Sequence, residues 1–170
     1  KDNPASGLKV KSSRRADEER SAFTASDLKL IFSDDYTLLK HKRPDRYFIP
    51  LILLHTGARV GEVAQLRADD VKKENGVWCF DIHPSAETSV KTQSSIRLVP
   101  VHSYLIKIDF LKYCEEIRKE GHAQLFPALK KSANGYGSAI SKWFNKRLRE
   151  KGITDKKKVL HSTRHTFITK

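Results

Sequence analysis

Hydrophobic positions along the chain recur mostly at helical spacing. Thr24-Ala-Ser-Asp27 has the form of a capping box with Asp in place of the usual Glu, and Leu28, Ile31 and Phe32 follow it on one helical face. A second helix is predicted after Pro44, carrying Tyr47, Phe48, Leu51 and Leu54 on one face, with Pro50 a point of kinking. Gly57-Ala-Arg-Val-Gly61 interrupts that pattern, and a short helix resumes through Leu66. The period then changes. Val77-Trp-Cys-Phe-Asp-Ile82 is rich in β-branched and aromatic residues and predicts a strand. Ile96-Arg-Leu-Val-Pro-Val101 predicts a second, with Pro100 confining its end to a sheet edge. The polar stretch His83 to Ser95 joins them as a long, exposed connection. Helical spacing returns in two stripes, one of Ile106, Phe110, Tyr113, Cys114 and Ile117, the other of Ile140, Trp143, Phe144 and Leu148. Both read as core faces. The expected fold class is therefore mainly α with a small antiparallel β-sheet (α+β).

Composition changes the picture in one direction. Among 170 residues, 33 Lys and Arg stand against 20 Asp and Glu, a net charge of +13 that points to a polyanionic partner, nucleic acid first. The 38% of hydrophobic residues suffice for a folded core. The longest apolar cluster, Phe48 to Leu54, is far too short to cross a bilayer, so no membrane association is expected. Cys79 and Cys114 are too few for a disulfide scaffold and read as buried thiols of a reducing, cytoplasmic setting. The basic run from Lys146-Arg147 to Lys156-Lys-Lys158 reads as a solvated face.

Three segments carry candidate chemistry: Thr56-Gly-Ala-Arg59-Val-Gly-Glu62, then Lys91-Thr-Gln-Ser-Ser-Ile-Arg97, then His161-Ser-Thr-Arg164-His165. A phosphodiester under attack gathers charge on its non-bridging oxygens. Guanidinium groups suit that charge, being planar, permanently positive and able to donate two parallel hydrogen bonds. Fixed donors of this kind contribute roughly 3–4 kcal/mol each to a transition state. His161 and His165 also have the i, i+4 spacing of zinc ligands, but no Glu follows His161 and no third ligand is evident, so no metal is expected.

In order and spacing these segments resemble the tyrosine recombinases, or phage integrases, from about Thr24 to the last residue. That family has an Arg in a Thr-Gly-x-Arg-x-x-Glu segment, a Lys on a β-hairpin and a His-x-x-Arg box on a later helix. The resemblance implies DNA breakage and rejoining through a covalent 3′-phosphotyrosyl intermediate, without cofactor. It makes Arg59 and Arg164 the phosphate clamp, Lys91 the general acid and His161 a phosphate or proton partner. It makes Glu62 and His165 supports that orient the arginines. A positioned general acid is worth roughly a hundredfold to ten-thousandfold. The resemblance also implies a double-stranded DNA partner, a tetramer on DNA for the full-length protein, a monomer for this fragment, and the integration or excision of a prophage or other mobile element. Residues 1–22 are expected to be the linker from a missing N-terminal DNA-binding domain, and residues 23–170 a catalytic domain whose C-terminal end is missing. The family's nucleophilic tyrosine follows the His-x-x-Arg box. Tyr36, Tyr47, Tyr104, Tyr113 and Tyr136 all precede it and read as packing or surface residues, so the fragment is expected to bind DNA but not to cleave it. A type IB topoisomerase, with a similar cation set, and a non-catalytic DNA-binding module are the alternatives.

Overall fold

The computed structural model describes residues 20–83 and 96–169. Among these, the helices are α1 (Ala25–Ile31), α2 (Asp34–Thr37), α3 (Leu39–Lys42), α4 (Pro44–Thr56), α5 (Val60–Ala64), α6 (Ser103–Lys107), α7 (Phe110–Lys119), α8 (Gly137–Glu150) and α9 (Ser162–Ile168). A three-stranded antiparallel sheet, β1 (Val71–Glu74), β2 (Val77–Ile82) and β3 (Arg97–Pro100), follows a single 3-10 turn at Ala68–Asp70. The mainly α chain with a small antiparallel sheet is as expected.

The local signals act where the sequence places them. The Thr24 hydroxyl accepts from the Asp27 amide at 3.1 Å, and the Asp27 carboxylate accepts from the Thr24 amide at 2.8 Å, so α1 opens on a complete capping box. Pro44 occupies the first turn of α4, where its missing N–H costs nothing. Gly57, at φ +62°, ends α4 in the left-handed conformation and its amide reaches the Leu53 carbonyl. Pro50 sits inside α4 and has no N–H for the Arg46 carbonyl four residues back. The buried Tyr36 hydroxyl stands 2.9 Å from that oxygen and 2.8 Å from the carbonyl of Tyr47, and so supplies the missing donor from α2.

Helix α4 is the axis of the molecule. Burial runs without a break from Tyr47 to Leu54, so the helix is enclosed on all sides rather than on the one face its spacing suggested. Phe48 meets Phe110 and Tyr113 of α7 at ring-centroid distances of 5.2 and 5.1 Å, and Phe110 meets Phe80 of β2 at 5.6 Å. This aromatic chain joins helices and sheet into one core.

Three expectations change. The sheet has an additional strand, β1, joined to β2 by Asn75-Gly76, whose φ angles of +47° and +83° are those of a tight hairpin turn. The stripe from Ile106 to Ile117 is broken by Asp109 at φ +62°, which shifts the helical phase. Leu105 is buried in α6, and Ile106 is exposed. The basic run after Lys146 is not a uniformly solvated face. Arg147 is 8% exposed, Arg149 donates to the carbonyls of Ile153, Asp155 and Lys158, and Lys158 pairs with Asp27 at 2.6 Å. Tyr36 and Tyr47 are packing residues of the core, within the reading made from the sequence. Pro100 does lie on an edge strand, opposite Cys79. The linker assigned to residues 1–22 falls almost wholly outside the described residues. Within its last three, the Ser21 amide donates to the Lys157 carbonyl.

Candidate active site

Three elements converge at the C-terminal end of α4. Gly57 turns the chain, and Arg59 begins α5 as its N-cap residue. The Glu62 carboxylate, three residues on, accepts from the Arg59 backbone amide at 2.9 Å and from its Nη1 at 3.0 Å. The second element is β3. Its register sets Arg97 opposite Ile82, and from there Arg97 Nη2 reaches the other side of the same carboxylate at 3.0 Å. Glu62 is 4% exposed. Burial alone would raise its pKa, but the hydrogen bonds from Arg97 and Arg59 outweigh burial and hold the carboxyl below its ordinary value. One buried carboxylate thus fixes two guanidinium groups, which remain 38% and 32% exposed.

The third element is α9. Its approach is set by the Asn145 side chain of α8, which accepts from the Leu160 amide at 2.8 Å, and by Thr163, whose hydroxyl returns to the Leu160 carbonyl. Thr166 accepts from the Phe23 amide and ties α9 to the start of the folded chain. Arg164 donates through Nη1 to the Gly57 carbonyl. Phe167, one turn later, covers the α-carbon of Gly57 so closely that a β-carbon there would lie 2.4 Å from its ring. Glycine is required at position 57 both for its dihedral angle and for this contact.

Two adjoining cavities result. One, of about 330 Å³, is lined by Arg59, Arg97 and Arg164 with Thr56, Gly57, Phe167 and Ile168. The other, of about 580 Å³, is lined by Arg59, Arg164 and His161 on one side, and by Tyr136, Ser138 and Ser141 at the start of α8 on the other. Arg59 and Arg164 form the shared wall. Helix α8 comes this close because Gly137 has no side chain. A β-carbon there would be 3.1 Å from both γ-carbons of Val60.

Of the residues singled out in the sequence, Arg59, Arg164 and His161 therefore border one cavity system, and Glu62 lies beneath Arg59. His165 packs edge-on against His161, with centroids 5.5 Å apart, and its Nε2 is buried without a hydrogen-bond partner among the described residues. Lys91 lies outside the described residues. Two further residues belong to the site. Arg97 joins Arg59 and Arg164 as a third guanidinium, and Tyr136 lines the larger cavity rather than being only a packing or surface residue. Arg97 stood within the Lys91–Arg97 segment singled out in the sequence, but its reach to Glu62 depends on the register of β3.

No curated protein matches the chain. Among solved structures, the chain is similar to XerA recombinase, with a TM-score of 0.56 and 19% identity over 99% of this chain and 53% of that one. It is also similar to the Tn1549 transposon integrase in complex with transposon right end DNA, with a TM-score of 0.58 and 19% identity over 99% and 57%. A complex of that integrase with circular intermediate DNA gives 0.54 and 19%, over 98% and 57%. The chain thus spans about half the length of these proteins, and at this identity the likeness establishes the fold. The family model of the phage integrases matches residues 23–170, from the residue before the first capping box to the last of the chain. With that match over most of its length, this chain belongs to the phage integrase family.

Proposed function

We propose that this chain is the phosphate-gripping part of a site-specific DNA recombinase, an integrase that breaks and rejoins DNA through a covalent 3′-phosphotyrosyl link. The observation that carries the reading is the shared wall. Arg59 and Arg164 come from helices a hundred residues apart in sequence, face the same two cavities, and are each held by a partner that leaves guanidinium surface exposed. A phosphate seated there would meet donors already in place as charge builds on its oxygens, so little reorganisation would be needed during reaction. His161, which lines the larger cavity, would touch the phosphate or take a proton from the attacking hydroxyl. Lys91 would protonate the departing sugar oxygen. The attacking tyrosine is the one that family members carry after the His-x-x-Arg box. His165 supports the His161 ring. The natural partner is double-stranded DNA, two sites of which the full-length protein pairs as a tetramer.

The test uses the full natural protein and its attachment-site DNA. Arg164→Ala is expected to abolish the covalent protein–DNA product. An unchanged yield overturns the mechanism. If Tyr136→Phe abolishes the product and loss of the downstream tyrosine does not, the nucleophile is misassigned. Relaxation of supercoiled DNA without strand exchange would favour a topoisomerase. DNA binding that no variant converts into cleavage would favour a non-catalytic module. Affinity should fall with salt at a log–log slope of about −0.9 per phosphate contacted.

A further inference from the structure

Glu62 poses an electrostatic difficulty. A buried carboxylate hydrogen-bonded to Arg59 neutralises the group that must hold an anion. Arg59 and Glu62 alone would sum to nothing, leaving Arg164 to face the phosphate. The structure answers with Arg97. Glu62 Oε1 accepts from Arg59 Nη1, while Oε2 accepts from the Arg59 amide and from Arg97 Nη2, each at 2.9–3.0 Å. The smaller cavity is then bordered by three guanidinium groups over one carboxylate, an excess of two positive charges among the described residues. A phosphodiester carries one negative charge at rest and close to two in the five-coordinate state, so the excess matches the reacting phosphate rather than the resting one.

We infer that Arg97 is a positioning residue of this reaction: it takes up the charge of Glu62 so that Arg59 keeps its own for the phosphate. This rests on the functional reading above. Glu62 sets the direction of the Arg59 guanidinium, and Arg97 removes the electrostatic penalty of having a carboxylate do so. The same ion pair fastens β3 to α5 across 35 residues of sequence. Lys91 precedes Arg97 by six positions, so the strand that the pair anchors is the one leading away from the proposed acid.

The experiment measures single-turnover formation of the covalent product by the full natural protein, with thermal melts to confirm that each variant folds. Arg97→Gln is expected to slow the reaction about tenfold to a hundredfold, the usual range for breaking one partner of a coupled charge pair. Arg97→Lys, which keeps the charge, should stay within about threefold of the native rate. Adding Glu62→Gln to Arg97→Gln should recover much of the loss, because removing both charges restores the excess. A purely architectural Arg97 would make the double variant as slow as the single, or slower. A substrate whose scissile phosphate is a neutral methylphosphonate needs less positive charge, so the Arg97→Gln defect should shrink on it. An equal defect on both substrates, or no recovery in the double variant, overturns the inference. Arg164→Ala separates the two levels: if it leaves cleavage intact, the functional reading fails, whereas if it abolishes cleavage and Arg97→Gln does not slow it, only the role of Arg97 fails.

Discussion

Two arginine–carboxylate clusters, Arg147 with Asp35 and Arg59 and Arg97 with Glu62, are built in opposite senses. On α8, Arg147 is the buried partner. Its Nε and Nη2 donate to the Ile31 carbonyl, its terminal nitrogens donate to Asp35 at 3.0 and 3.2 Å, and its guanidinium lies 5.1 Å from the centre of the Tyr36 ring. The carboxylate it meets is half exposed. At the cavities the carboxylate is buried and the arginines are open. Which partner is buried tells what each cluster is for. A guanidinium with most of its donors engaged inside the protein anchors one helix to another. A guanidinium held by a buried carboxylate and open to a cavity is available to a third party.

The strongest way to break this comparison is to remove one arginine from each cluster. Arg59→Ala should lower the rate of covalent product formation by a hundredfold or more while moving the melting temperature little. Arg147→Ala should do the reverse, costing about 3 kcal/mol in denaturant unfolding and leaving the rate per folded molecule unchanged. If the two effects change places, the distinction is wrong. Gly57→Ala should come next. It forces a non-glycine residue to φ +62° and drives a methyl group into Phe167, for a loss of about 2 kcal/mol by thermal melt and a weakened hold on Arg164.

Acid should affect both clusters alike. Hydrogen bonds from Arg147 and Lys151 hold the Asp35 carboxyl far below its usual value. At Asp27, burial raises the pKa, but hydrogen bonds from Lys158 and Thr24 more than offset it and leave it lowered, as at Glu62. A carboxylate with a depressed folded pKa stabilises the fold above its unfolded value of about 4, and that contribution is lost as pH falls through the folded value. Unfolding free energy should therefore stay level from pH 7 to about 5 and decline below about 4. A decline beginning near pH 6 would implicate histidines instead. The smallest expected effect is at the cysteines. Burial pushes the Cys114 thiol up to about 12, so thiol reagents at pH 8 should label it only as the protein unfolds.

The sequence revealed what is local. The Thr24 capping box, Pro44, the Gly57 stop, the β2 strand and the apolar face of α8 depend on neighbours within a turn or two, and each lies where its spacing implied. Asn75-Gly76 is an equally local signal, two residues of left-handed backbone that close the β1–β2 hairpin. Other features depended on distant atoms. Arg147 looks like part of a solvated basic run because its partners, the Ile31 carbonyl and Asp35, lie more than a hundred residues away. Arg97 acquires its part in the cavity from the register of β3, which spacing does not encode. Ile106 and Leu105 exchange roles because one left-handed residue, Asp109, resets the helical phase. The motif residues Arg59, His161 and Arg164 were legible as chemistry, but their common wall is a product of tertiary packing.

The phenol of Tyr36 against α4 has a consequence for how this chain can vary. The carbonyl that Pro50 leaves open is served from outside the helix, so positions 36 and 50 form a single decision taken twice. A chain with Ala at 50 closes its own ladder and has no use for a hydroxyl at 36. A chain that keeps Pro50 but carries Phe at 36 leaves the Arg46 carbonyl without that donor. Among natural sequences of this type, the two positions should change together or not at all.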